Sequence, residues 1–360
     1  MTNQQPQMEA LTELVSVLRK VSKKKPRNKT ANVRIDDKWK YNSKFETVVA
    51  IPNELFDHLL DLEDNKVLKN SHSHVAFAYM FLQTWLYRYA KYDQYVPTVA
   101  DIKQLLAFTA DEKRINYIIK KDGVLDKEGI TETTQDFPVL VTWEDKIGLK
   151  NDFPTIETLT DIFPEHMEFK DMLKERKISG KLTCKKPLYL YEREDMEEGI
   201  LKCADRTTQI DIRAFDFCME HVEDLGLTGF FLYSYIVYMD GIFENGFDAS
   251  IERLSKELMM SKNTITKYRD ALRAYGMIEL KHNNAYFNSN DTMLAPTNIP
   301  NEWWRFKDEK GDYLKFGSPE QKAHAWNNPM EYESERRKFT KNVDEIKTNG
   351  IAITELDLPF

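Results

Sequence analysis

One arrangement of helix stops and starts occurs twice along this chain, and that doubling restricts what it can fold into. The clearer copy is the stretch 248–288, DASIERLSKELMMSKNTITKYRDALRAYGMIELKHNNAYFN. Ser250 stands where a helix N-cap belongs, and Ile251, Leu254 and Leu258 follow at helical spacing. A break at Met259 and Met260 comes next. Ser261 then caps a second helix with Ile265, Tyr268 and Leu272 facing inward, and Gly276 ends it. Residues 277–281 alternate as a strand does. His282, Asn283 and Asn284 form a turn, and Ala285, Tyr286 and Phe287 complete a hairpin.

The fainter copy begins at Thr98, which caps a helix carrying Ile102, Leu105 and Leu106. Phe108 and Thr109 break it. Asp111 caps a second helix with Ile115, Ile118 and Ile119, Gly123 ends that helix, and Val124 and Leu125 begin a strand. The likeness extends upstream. Ile51 and Pro52 with Phe56 and Leu59 match Ile210, Asp211 and Ile212 with Phe215, Phe217 and Met219. The apolar helix after His74, with Phe77, Met80, Phe81, Trp85 and Leu86, matches the one holding Phe230, Phe231, Leu232, Tyr233, Ile236, Val237 and Met239. Strand, helix, long apolar helix, helix–turn–helix and strand thus recur with an offset of roughly 150 to 160 residues.

This order resembles the winged helix-turn-helix, which places its second helix in a DNA major groove. The expected fold class is mainly α with small β wings (α+β), built as two tandem winged helix-turn-helix domains. Residues 1–44 hold an amphipathic helix (Met8, Leu11, Leu14, Val15, Leu18, Val21) and a basic arm from Arg19 to Lys29. Residues 45–143 form the first domain, 144–205 a connector broken by Pro154, Pro164 and Pro187, and 206–290 the second domain. In the connector, Phe169, Met172 and Leu173 suggest a short helix and residues 187–191 a strand. Residues 291–360 form an irregular extension containing Trp303, Trp304, Tyr313, Phe316 and Trp326.

Composition narrows the function. Apolar residues make up 41% of the chain, enough for well-filled cores, yet no run approaches a membrane span and the start carries no signal-peptide core. Cys184, Cys203 and Cys218 lack metal or redox spacing, which points to a reduced, cytoplasmic protein. His72, Ser73 and His74 place two histidines one residue apart, as in metal-binding rolling-circle endonucleases. Those enzymes need an apolar residue between the histidines, on a strand; here the middle residue is serine at the head of an apolar helix, so the pair reads as capping. No zinc spacing, phosphate-cradling loop or nucleophile–base set is present. A non-enzymatic chain with no catalytic residue, metal or cofactor is expected.

Net charge is −8, so any nucleic-acid site must be local. Over 262–288, Lys262, Lys267, Arg269, Arg273 and Lys281 oppose Asp270 and Glu279, a balance of 5 − 2 = +3. Lys262, Asn263, Thr264, Lys267 and Tyr268 lie where a winged helix meets base edges. Arg269, Arg273, Lys281, His282 and Asn283 lie where phosphates would be reached. In the first copy Lys113, Arg114, Asn116 and Lys120 occupy the corresponding helix. From 111 to 132 the balance is 5 − 6 = −1, and Asp126 and Glu128 make the loop after it acidic. That copy either assists on DNA or serves dimerisation.

The chain ends Glu355, Leu356, Asp357, Leu358, Pro359, Phe360. Asp357, Leu358, Pro359 and Phe360 resemble the acidic tail tip of bacterial single-stranded-DNA-binding proteins, a docking peptide whose terminal Phe fills an apolar pocket. Over residues 45–290 the architecture resembles tandem winged-helix replication initiators of plasmids and phages. That resemblance implies binding to double-stranded DNA, a possible homodimer, and recruitment of a host replication factor through the tip. Two alternatives are a transcriptional regulator of a mobile element and an interaction protein mimicking the single-strand-binding tail.

Overall fold

The structure, a computed structural model, describes residues 34–40, 46–142, 155–188, 191–192, 199–201, 207–243, 246–281 and 295–311. Helices predominate, with small antiparallel sheets. The N-terminal amphipathic helix, the basic arm and the C-terminal tip lie outside the described residues, as do Tyr313, Phe316 and Trp326.

Two strands far apart in sequence tie the halves together. β1 (Val48–Pro52) pairs antiparallel with β8 (Thr207–Asp211), with Ala50 opposite Gln209 at the centre. The numbers differ by 209 − 50 = 159, within the sequence offset between the copies. Each strand leads into an amphipathic helix, α1 (Glu54–Asp64) or α8 (Ile212–Glu220). A long apolar helix follows each, α2 (His72–Arg88) or α9 (Gly226–Phe243). In α2 every residue from 73 to 87 is buried, the signature of a helix enclosed on all sides.

Corresponding residues of the two copies meet in the core. The rings of Phe77 and Phe231 pack edge to face with centroids 5.3 Å apart, and His74 Nδ1 lies 3.3 Å from Thr228 Oγ1. Both pairs differ by 154 in number, so equivalent side chains face each other as they do across the two-fold of a symmetric dimer. Phe56, Phe81, Phe215 and Phe230 extend this cluster.

The histidines do not cap α2. Glu63 does so from α1, its carboxylate accepting from the backbone N–H of Ser71 at 2.6 Å and of Ser73 at 3.0 Å. His72 instead stacks on Tyr117, and His74 stacks on Phe231 with centroids 4.8 Å apart.

The first copy then departs from expectation. α3 (Val99–Leu105) starts at Thr98 as the sequence suggests, with a reciprocal bond between Thr98 and Asp101. The second helix shrinks to α4 (Asn116–Ile119). Asp111 does not cap it: residues 111–115 are held in turns, because the Lys103 ammonium takes the Glu112 carbonyl and the Glu112 carboxylate takes the Arg114 N–H. Gly123 is extended, and Val124 and Leu125 start a helical turn, α5 (Val124–Lys127), rather than a strand. A Cβ at Gly123 would stand 2.7 Å from the carbonyl oxygens of Tyr117 and Ile118, which explains the glycine.

Strands and short helices occur among the described residues within 144–205. β2 (Thr131–Thr134) pairs with β5 (Cys184–Pro187), and β3 (Pro138–Thr142) pairs with β4 (Thr155–Thr158). β7 (Gly199–Leu201) joins β4 and is flanked by β6 (Tyr191–Glu192). Two short helices, α6 (Leu159–Ile162) and α7 (Phe169–Glu175), sit between these strands. The described residues between 131 and 201 therefore form small sheets that complete the first half.

Removing the Phe231 ring should destabilise both halves at once. Phe231→Ala is expected to cost about 3–5 kcal/mol and to keep a single unfolding transition, seen by urea denaturation followed through tryptophan fluorescence and circular dichroism.

Burial pulls the His74 imidazole down to about 4 from an ordinary 6.5, with Glu63 partly opposing the shift. The neutral ring belongs to the folded state. Its contribution is therefore complete above pH 6.5 and is lost as pH falls toward 4, on the order of 3 kcal/mol in all. Urea midpoints should fall over that window, and His74→Gln should remove most of the fall.

Candidate nucleic-acid interface

The second copy builds its helix pair from local signals. The Ser250 hydroxyl accepts from Arg253 N–H at 3.1 Å and starts α10 (Ile251–Glu257). Met259 is left-handed at φ 51°, the residue on which the chain turns. The Ser261 hydroxyl accepts from Thr264 N–H at 3.1 Å and starts α11 (Lys262–Ala274). Gly276, at φ +67°, closes it: Met277 N–H reaches Leu272 O at 2.8 Å and Gly276 N–H reaches Arg273 O at 3.0 Å.

β10 (Ile278–Lys281) follows, but its partner is β11 (Thr297–Pro300), with Ile278 opposite Pro300. A third strand absent from the sequence reading, β9 (Phe247–Asp248), pairs with the other edge of β11. Two residues are too few for an alternation signal. Residues 282–294, including His282, Asn283 and the expected strand 285–287, lie outside the described residues.

α11 rests on α9, with the Tyr268 ring beside Gly229. Ile265 and Leu272 face inward and are fully buried. The opposite face exposes Asn263 and Lys267, with Thr264 half-buried beside them, and Lys262 is exposed as the first residue of the helix. Lys262 pairs with Glu252 of α10 at 2.8 Å, and the Lys267 ammonium sits 4.8 Å from the Tyr268 ring centroid. Lys281 is exposed at the end of β10.

Two arginines expected at phosphates stand elsewhere. Arg269 is 0% exposed, on the buried side of α11. Arg273 is largely covered and lies 3.8 Å from Asp270. At 100° per residue, position 269 falls on the same side as 265 and 272, so the helical period opposed the assignment that charge suggested.

The corresponding surface of the first copy is spent on its own fold. Arg114 forks onto Glu112 through Nε at 3.1 Å and Nη2 at 2.8 Å, holding that carboxyl down at about 2. Asn116 is half-buried, while Lys113 and Lys120 are exposed. Asp126 turns inward to buried Lys185, 2.6 Å away, and accepts from the hydroxyls of Thr131 and Thr133. Burial alone would raise the Asp126 carboxyl, but these bonds hold it below the ordinary value. The acidity expected of this loop is thus partly cancelled inside the protein, through a partner from the supposed connector.

The aromatic stretch after β11 packs back onto the second copy. Phe306 lies against Phe217 and Tyr233, and Lys307 N–H donates to Tyr275 O at 2.9 Å. Trp303 carries the Arg213 guanidinium 3.8 Å above its ring, and Trp304 is 64% exposed. Cys184 and Cys218 are free and buried. Among the described residues no helix is long and apolar enough to cross a membrane, and no group of three or more His, Cys, Asp or Glu is placed to hold a metal ion.

Comparison with protein-family models, curated proteins and solved structures returns no match. The arrangement of side chains is therefore what bears on function.

Asp126→Ala would leave the buried Lys185 ammonium with the Lys120 carbonyl at 3.0 Å but without its carboxylate. A loss of about 3–5 kcal/mol is expected, measured by thermal or urea denaturation. Breaking the exposed Lys262–Glu252 pair should cost less than about 1 kcal/mol.

Proposed function

We propose that this protein binds double-stranded DNA sequence-specifically through the second of two winged helix-turn-helix units, and that it acts as a replication initiator of a plasmid or phage. The observation that carries the DNA-binding part is the free face of α11. A thirteen-residue helix is capped at Ser261, seated on α9, and presents Lys262, Asn263 and Lys267 outward at its N-terminal end. Helix-turn-helix proteins apply this end of the second helix to base edges. The strand order β10–β11–β9 supports the winged reading, since it sets a β-hairpin beside that helix. Lys281 on the hairpin is placed for a phosphate.

In this proposal the first copy assists through its place in the shared core. Its four-residue α4 is shorter than the span a groove-reading helix uses. The initiator role draws on the resemblance of Asp357, Leu358, Pro359 and Phe360 to the docking peptide of bacterial single-stranded-DNA-binding proteins.

The test is binding of the full chain to duplex fragments of its own replicon, followed by fluorescence anisotropy at several salt concentrations. Affinity should fall steeply with salt, and Lys281→Ala should reduce the salt slope by about 1. No binding at low salt would overturn the proposal. Bound sites forming clustered direct repeats near an AT-rich stretch support the initiator; a palindrome across a promoter would replace it with a transcriptional regulator.

A further inference from the structure

The polar ends along the first half of α11 are almost all engaged by the fold. Lys262 pairs with Glu252 at 2.8 Å. Thr264 Oγ1 lies 2.8 Å from Ser261 Oγ, and the Thr266 hydroxyl donates to Lys262 O at 2.9 Å. The Tyr268 ring lies beside Gly229, Arg269 is buried, and Asp270 faces Arg273. Two residues differ. Asn263 is exposed, and among the described residues no hydrogen bond holds its amide. Lys267 is exposed, its ammonium over the ring of its neighbour Tyr268 and within electrostatic reach of Asp224, with no hydrogen bond or ion pair holding it among the described residues.

Asn263 and Lys267 are four residues apart, so they stand one above the other on the helix with Cβ atoms about 5–6 Å apart. Base pairs rise about 3.4 Å per step. Two side chains at that separation, entering one major groove, meet base pairs one or two steps apart.

We propose that Asn263 and Lys267 are the base-reading pair, with Asn263 on an adenine and Lys267 on a guanine one or two steps away. This rests on α11 being the DNA-facing helix. An amide has one acceptor and one donor end, and the adenine edge offers N6–H and N7 to match them. A phosphate offers acceptors only and would leave Asn263 Oδ1 unused. An ammonium has donors only, which suits the O6 and N7 acceptors of guanine. In the first copy Asn116 and Lys120 have the same spacing, but Lys120 is extended beyond the end of α4, so the two do not stand one above the other on a helix. In α4, Asn116 is half-buried and the Tyr117 hydroxyl is 2.8 Å from His72 Nδ1.

The experiment is selection of bound sequences from a random-core duplex oligonucleotide library by the full chain, its Asn263→Ala, Lys267→Ala and Lys267→Arg variants, and Lys281→Ala. The unaltered protein should select an A·T and a G·C pair one or two steps apart, each preferred about tenfold to a hundredfold. Asn263→Ala should lose preference at the adenine alone, and Lys267→Ala at the guanine alone. Lys267→Arg should keep the guanine, and Lys281→Ala should weaken binding without altering the motif. All these positions are exposed, and circular dichroism verifies that the variants are folded. If Asn263→Ala and Lys267→Ala both retain the full motif, the base-reading pair is wrong while DNA binding stands. If the unaltered protein binds no duplex in the library, both proposals fall.

Discussion

The pairing of β1 with β8 is the contact on which the rest of the molecule depends. It joins two five-residue segments more than 150 positions apart and places the copies back to back. Closing so long a loop costs only modestly more entropy than closing a short one, because the cost grows logarithmically with length. The return is the aromatic core beneath, where Phe56, Phe77 and Phe231 meet and where α2 and α9 are covered. Neither apolar helix could remain exposed to water by itself. The two copies thus share one core, and α11 takes its position from α9, which belongs to that core.

That common frame also shows why the copies differ at their tips. In the second copy, charged and polar groups on the outer face of α11 remain directed outward. In the first, Lys103, Glu112, Arg114 and Asp126 have been drawn into local bonds, and Lys185 is supplied by the small sheets that follow. The same sequence order thus yields a long presenting helix in one place and a tightly bonded set of turns in the other. Duplicated order does not imply duplicated function once side-chain bonding has diverged.

Much of the fold was legible because its signals are local. Ser250, Ser261 and Thr98 cap the helices they precede, and Gly276 closes α11, since a cap needs only the few residues around it. The match of Ile51 with Ile210 was legible for a similar reason: hydrophobic order survives where identity does not. Less could be seen of contacts made across distance. Nothing near Asp126 announces Lys185, nothing near Ser71 announces Glu63 as the cap of α2, and a two-residue strand such as β9 has no pattern of its own.

For the candidate site the division is similar. By itself the sequence determined the presence and phase of α11, the local excess of positive charge, and the repeat that frames it, because all three follow from spacing and composition. Tertiary structure alone decided which of those charges remain available. Arg269 and Lys267 are indistinguishable by charge, yet one is buried against the core and the other is exposed beside Asn263. The reason is that availability depends on which face of the helix meets α9, and that face is chosen by the packing of Ile265, Tyr268 and Leu272, not by the charged residues themselves.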